Sequence, residues 1–241
     1  MKLYGMTDTG LKRSMNQDVF YAHKFSDDVG FVIVCDGMGG ENAGNVASAM
    51  ACDIVSKNII EKEKQILNGE NIDQIIVDAI SKANVLIYKK AIEEATYKGM
   101  GTTLVLALIV NSIAYIAHIG DSRVYHYKNG NLNQITKDHS RVQELLEQGK
   151  INKEEMAVHP EKNVITRAVG VYLTVDIDYI TLQIENGSKI LLCTDGLTNM
   201  LDDAEIEKCL KKSSAQAICE KLIELANKNG GIDNITIAIM E

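Results

Sequence analysis

Short apolar runs in this chain stop repeatedly at an aspartate. Phe31, Val32, Ile33, Val34 and Cys35 form an unbroken run between Gly30 and Asp36-Gly37. A run that short, rich in β-branched residues and bounded by glycine, reads as a buried strand. Asp121 follows the run 114–120, Asp195 follows 189–194, Asp233 stands just ahead of 235–239, and Asp18 opens the segment 18–23. One aspartate beside a strand is ordinarily a turn former. Five of them at strand mouths place carboxylates where a scaffold is rigid.

Elsewhere the period is helical. Residues 43–60 carry Val46, Ala47, Met50, Ala51, Ile54 and Val55 at helical spacing, and 72–97 do the same with Ile75, Ile76, Ala79, Ile80, Ala83, Leu86 and Ile87. Strand patterns follow: 102–110 and 113–119 about a turn at Asn111-Ser112, then 124–127 and 132–136 about Asn129-Gly130, a hairpin signal. Residues 2–7 and 18–23 read as short strands around a polar loop, and 178–184 with 189–193 as a further strand pair. Residues 138–165 are polar, with a short helical pattern over 142–146; 204–210 and 215–227 are helical, and 235–240 is a last strand. Strands grouped as hairpins with helices in pairs predict an α+β fold, antiparallel sheets covered by helix pairs. With one proline and no linker-like stretch, residues 1–241 read as one domain.

Charge and cysteine usage narrow the function. The net charge is −8, which disfavours nucleic acid and anionic membrane surfaces and suits a protein that concentrates cations. Cys35, Cys52, Cys193, Cys209 and Cys219 are scattered, without a C-x-x-C pair, and read as reduced thiols. The first residues lack an apolar signal region, and no stretch approaches the ~18 apolar residues of a membrane span. The expected location is the cytoplasm.

Gathered carboxylates raise one another's pKa unless cations compensate them. An all-oxygen set suits Mg²⁺ or Mn²⁺, whereas zinc favours His and Cys, and the five histidines show no zinc-ligand spacing. His118 and His126 read as core or surface residues of strands. Glycines adjoin the aspartates at Gly37, Gly39, Gly40, Gly120 and Gly196, allowing sharp turns and leaving carbonyls free. Asp36-Gly37-Met38-Gly39-Gly40 contains neither a P-loop nor a dinucleotide-binding fingerprint. Neither Cys35 nor Cys193 begins a C-x₅-R loop, so neither reads as a catalytic nucleophile.

Eight short motifs occur in order along nearly the whole chain. They are Arg13-Ser14-Met15-Asn16-Gln17-Asp18, Val34-Cys35-Asp36-Gly37-Met38-Gly39-Gly40, Gly101-Thr102-Thr103, Gly120-Asp121-Ser122-Arg123, Asp138-His139-Ser140, Thr166-Arg167-Ala168-Val169-Gly170, Thr194-Asp195-Gly196-Leu197 and Asp233-Asn234-Ile235-Thr236. In this the chain resembles the metal-dependent protein phosphatases of type 2C, in their single-domain bacterial form. The resemblance implies a four-layer sandwich, two antiparallel β-sheets packed centrally with helix pairs on both outer faces. It implies two tightly bound Mn²⁺ or Mg²⁺ ions: Asp36 bridging them, the Gly37 carbonyl on one, Asp195 and Asp233 on the other, and Asp18 touching the cluster through water. Asp121 with Asp195 would form a weaker third position. Arg13 would grip the substrate phosphate, so that Arg13 and Asp36 are the catalytic pair.

The implied activity is hydrolysis of phosphoserine and phosphothreonine in proteins by a metal-activated water, with a cognate serine/threonine kinase among the partners. Many members of the family carry a proton-donating His after Asp-Gly; here the residue is Met38, and His139 is a substitute by motif proximity alone. Residues 140–165 match the family's variable flap, where Arg141, Glu144 and Lys150 are candidate readers of protein substrates. Competing readings are a catalytically inactive phosphoprotein-binding module on the same fold, a small-molecule phosphatase, and a regulator specific for one partner protein. The first usually loses metal aspartates, and all the expected ones stand in this sequence.

Overall fold

The computed structural model describes residues 1–40, 43–211 and 214–241, with the backbone alone at 157. In chain order the elements are β1 (Leu3–Asp8), β2 (Asp18–Lys24), β3 (Val29–Met38), α1 (Gly44–Ile60), α2 (Glu63–Leu67), α3 (Ile72–Glu93), β4 (Gly101–Thr102), β5 (Leu104–Val110), β6 (Ile113–Ile119), β7 (Arg123–Lys128), β8 (Asn131–Gln134), α4 (Arg141–Glu147), α5 (Lys153–Val158), β9 (Asp178–Gln183), β10 (Lys189–Cys193), α6 (Asp195–Thr198), α7 (Asp203–Leu210), α8 (Ala215–Lys228) and β11 (Ile235–Met240). A 3₁₀ turn at Ala95–Tyr97 follows α3. None of the described helices is long and apolar enough to cross a membrane.

Two antiparallel sheets run β1-β11-β10-β7-β8 and β2-β3-β5-β6-β9, with β4 added to β3. Alternate residues of the central strands go to opposite faces. Phe31, Ile33 and Cys35 of β3 join one apolar cluster, and Val32 and Val34 join another. In β11, Ile235, Ile237 and Ile239 part in the same way from Ala238 and Met240. Both faces are dry, so these strands have no polar face to alternate and read as unbroken runs. The cluster between the sheets is shared by β3, β5, β10 and β11. On one outer face α1 and α3 bury Ala47, Ala51, Val55, Ile76, Ile80 and Ile87. On the other, α7 and α8 bury Ile206, Leu210, Ile218 and Leu222. The result is the helix–sheet–sheet–helix sandwich that the resemblance implies.

Three local expectations change. Residues 178–184 and 189–193 are not partners: β9 lies on the edge beside β6, with Thr181 opposite Tyr115, while β10 lies between β11 and β7. Their burial explains the separation. β9 is partly wet along its length and suits an edge, whereas β10 is buried beyond Lys189 and suits a centre. The loop 9–17 joins strands of different sheets, because β1 pairs with β11 and β2 with β3. The run 102–110 is divided at Thr103, which donates its N–H to Asp36 O at 2.8 Å and accepts the Asp36 N–H on Oγ1 at 2.9 Å. The polar segment 138–165 holds α4, capped by the Ser140 hydroxyl, and α5, whose Asn152 and Glu155 form a capping box.

Antiparallel pairing carries the aspartates to one end of the sandwich. Asp18 opens β2 and stands opposite Asp36 near the end of β3. Asp121 and Asp195 follow the ends of β6 and β10, and Asp233 precedes β11.

Candidate metal centre

A cavity of about 280 Å³ opens at that end, lined by Arg13, Gln17, Asp36, Gly37, Met38, Gly39, Thr103, Asp121, Asn163, Ile165, Asp195, Asp233 and Asn234. Of the residues singled out in the sequence, Arg13, Asp36, Gly37, Asp121, Asp195 and Asp233 meet in it. Asp18 does not line it. It is buried one layer behind, with Oδ2 accepting a 2.8 Å hydrogen bond from the Thr194 hydroxyl. Gly37 is required where it stands, since a Cβ there would lie 2.1 Å from the Gly44 carbonyl oxygen at the start of α1. Arg13 Nη2 donates to Asp233 Oδ2 at 2.8 Å, and its side chain is 55% exposed. Met38 occupies the wall where a proton donor would be expected.

Four carboxylates and one guanidinium line the cavity, and Asp36, Asp121 and Asp195, with Asp18 behind them, are held away from their ordinary ionisation. Burial, then the neighbouring charges of Asp18, Asp195 and Asp121, pushes Asp36 well up. Burial, with the charge of Asp195 behind it, takes Asp121 to about 8. Asp18 rises to about 7, again mainly by burial and against the hydroxyls of Thr236 and Thr194. Asp195 rises to about 6 through burial and the charge of Asp233. Arg13 is raised through its bond to Asp233.

Two of these side chains are incomplete as they stand. Oδ1 of Asp18 and Oδ1 of Asp195 are buried without a hydrogen-bond partner. A buried carboxylate oxygen lacking a donor is costly, and a divalent cation would fit as its partner. Neither His nor Cys is among the described residues lining the cavity. The donors are carboxylates and backbone carbonyls, a set for Mg²⁺ or Mn²⁺ rather than zinc.

Several residues quoted only within motifs prove to hold the site together. Thr103 Oγ1, besides receiving Asp36 N–H, lies 2.7 Å from Ser122 Oγ, which ties the Asp36 strand to the turn bearing Asp121. Asn234 Oδ1 accepts from Gln17 N–H, and its Nδ2 donates to the carbonyls of Thr9 and Met15, so it pins the loop that carries Arg13. Thr194 supports Asp18. The available signal is a Thr or Asn at the margin of an apolar run, and Thr103, Thr194 and Asn234 are all buried. His139, a candidate proton donor in the sequence, is buried with Nδ1 on the Gly120 amide and Nε2 on Asp178, and it does not line the cavity.

The family profile for protein phosphatase 2C matches residues 11–231. The serine/threonine phosphatase stp of Listeria welshimeri is 41% identical over 236 residues, covering 98% of this chain and 93% of its own. The serine/threonine phosphatase of S. agalactiae superposes with a TM-score of 0.92 at 37% identity, over 99% of this chain and 98% of that one. The catalytic domain of the phosphatase PstP, solved with two manganese ions, superposes with a TM-score of 0.84 at 31% identity, over 99% and 96% of the two chains. Profile, relatives and fold agree: this chain belongs to the protein phosphatase 2C family of metal-dependent protein serine/threonine phosphatases.

Proposed function

We propose that the chain hydrolyses phosphoserine and phosphothreonine in proteins by direct attack of water at a binuclear Mn²⁺ or Mg²⁺ centre. The observation that carries this is the carboxylate cluster, with buried oxygens that no protein donor satisfies. Asp36, the Gly37 carbonyl, Asp195 and Asp233 hold the pair, Asp18 backs it through water, and Asp121 with Asp195 offers a weaker third position. Bound cations supply a water of lowered pKa and positive charge against the phosphoryl oxygens.

The protein's own part is positioning. Arg13 is held at the cavity mouth by Asp233, and no other described residue hydrogen-bonds its guanidinium, leaving it to grip phosphoryl oxygens in the bidentate manner that suits it. Met38 carries no proton. The Cys35 thiol is buried in β3, with its pKa raised by that burial. No protein nucleophile is needed and no phosphoenzyme forms. The deciding assay is phosphate release from a phosphothreonine peptide. Turnover should appear with Mn²⁺ or Mg²⁺ and stop with chelator, and a sugar phosphate should be a poorer substrate. Equal turnover in chelator contradicts the reading.

Asp121 carries a second expectation. Asp121→Ala should keep tight binding of two ions yet lose most phosphopeptide turnover, and lose less on an aryl phosphate, whose leaving group needs less protonation. Metal titration with parallel kinetics checks it; unchanged phosphopeptide turnover reduces Asp121 to a turn residue.

We take residues 1–241 as one catalytic domain with residues 140–165 as its flap. A cleft of about 700 Å³ adjoins the cluster, shares Asp121, Asn163 and Asp195 with it, and is walled by α4 and α5. Arg141, Glu144 and Lys150 do not line this cleft, and Arg141 bonds to Glu144. Of the cations lining it, Arg123 pairs with Asp138 and Lys137 with Glu147, and the other two are Lys153 and Lys162. Exposed charge contacts are worth ~0.2–1 kcal/mol each. Reversing Lys153 and Lys162 together should therefore change kcat/KM on phosphoproteins about 3- to 10-fold and leave an aryl phosphate unaffected. Equal effects on both substrates argue against a flap role. A cognate serine/threonine kinase is a fitting substrate, and five free cysteines suit the cytoplasm.

A further inference from the structure

The proposed reaction leaves His139 unused, although the sequence sets it in a motif between two aspartate-bearing segments. Its ring is buried against His118, with ring centroids 4.4 Å apart. The Gly120 N–H donates to His139 Nδ1 at 3.1 Å, and the His139 backbone N–H donates to the Gly120 carbonyl at 2.8 Å. One residue therefore engages both polar groups of Gly120, the residue directly before Asp121. Gly120 has a φ of +106°, and a Cβ there would stand 2.6 Å from Thr103 Cγ2. The turn has no side chain of its own to fix it.

The Gly120 amide also settles the ring's tautomer. Nδ1 accepts, so the proton is on Nε2, which lies 3.1 Å from Asp178 Oδ2. Asp178 Oδ1 accepts in turn from Arg167 Nη1 at 2.5 Å. Both ring nitrogens are thus engaged within the protein, and none is left to protonate a leaving group. The same logic rules out a metal cup. His118, His139 and Asp178 bring ligand atoms within 4.8 Å of one another. A metal on Nε2 of the neutral ring, however, would shift the proton to Nδ1, against the Gly120 N–H.

We propose that His139 is a positioning residue: it fixes Gly120 so that Asp121 presents its carboxylate to the cluster, and Asp178 and Arg167 fix His139. The proposal rests on Asp121 taking part in the reaction. Asn in place of His139 keeps an acceptor for the Gly120 amide without the bond to Asp178, whereas Ala removes both.

Misplacing a group by about 1 Å can cost about 10²-fold. His139→Ala should accordingly lose about 10- to 10²-fold on a phosphopeptide and clearly less on an aryl phosphate, the pattern expected of Asp121→Ala. In an Asp121→Ala background the same change should cost no more than about twofold, because it then has nothing to position. His139→Asn should recover most of the loss. Independently of activity, ¹⁵N spectra of the metal-free wild-type protein should show His139 protonated at Nε2. Multiplying losses in the double variant, equal losses on both substrates, no recovery with Asn, or a proton on Nδ1 would each overturn the proposal. Full turnover by Asp121→Ala alone removes the premise beneath it, while a large Asp121→Ala loss with multiplying double-variant losses removes only the His139 role.

Discussion

Asp36→Asn should abolish phosphate release while leaving the fold intact. Asp36 is where the buried cluster is most crowded: Asp18, Asp195, Asp121 and Asp233 all act on its charge. Its amide is held by Thr103, so the backbone does not depend on the carboxylate. Asn keeps the shape and removes the charge that holds cations. Metal-assisted charge stabilisation is worth several kcal/mol, which at ~1.36 kcal/mol per tenfold makes the loss about 10³-fold or more. Asp233→Asn should lose nearly as much. The control is thermal melting in chelator at pH 8. There Asp36→Asn should melt no lower than the wild type, because one repelling charge has gone, and added Mn²⁺ should raise its melting point much less. A near-wild-type rate contradicts the assignment. A fallen melting point in chelator would mean that the aspartate is structural.

Metal should also change how stability depends on pH. In the metal-free chain Asp195, Asp18 and Asp121 are raised to about 6, 7 and 8, against about 3.9 for an aspartate in an unfolded chain. The folded state therefore binds more protons than the unfolded state between these limits. The stability this gives is fully present below pH ~4 and is lost as pH rises through the folded values, toward pH ~8. Cations that compensate the charges cancel the loss. Saturation of one site at 100 times its Kd adds ~2.7 kcal/mol, and at ~2–4 °C per kcal/mol for a chain of this size the melting point should rise by about 5–10 °C. The increment should be larger at pH 8 than at pH 5.5. Melting curves with chelator and with Mn²⁺ across that range test it, and an increment that shrinks toward pH 8 means the cluster is not the metal site.

The sequence was most legible where one residue type does one job. The unbroken run ahead of Asp36 is a strand with two dry faces, and the Ala and Ile spacing of α1 and α3 is the stripe that covers a sheet. Five aspartates at strand mouths were legible as a cluster in the making, and four of them do meet in one cavity, where repelling carboxylates need compensation. Pairing was harder to read. Asn186-Gly187 lies between β9 and β10 and looks like a hairpin turn, with Gly187 at φ +82°. It instead carries the chain from one sheet to the other, a choice set by the dryness of each strand rather than by the turn. Supporting residues left a faint signal as polar residues beside apolar runs, but their partners were hidden. Nothing local to Asn234 says that it will hold the carbonyls of Thr9 and Met15, over 200 positions away along the chain. The place of His139, a proton-donor candidate by motif proximity alone, was hidden for the same reason: its partners, Gly120 and Asp178, lie in two other parts of the chain.

The pairing of β1 with β11 joins Leu3 to Met240 and Asp8 to Ile235, across almost the whole length of the polypeptide. β11 sits inside the sheet, between β1 and β10, although it is the last strand along the chain. Arg13, Asp18, Asp36, Asp121 and Asp195 all precede Asp233 along the chain, so the carboxylate cluster is incomplete without the segment that leads into β11. Chains stopped at residue 231 should release no phosphate even with abundant Mn²⁺. A product that breaks off ahead of β11 would therefore be inert rather than a phosphatase beyond control, because it lacks both the strand that orders the sheet and the last aspartate of the cluster.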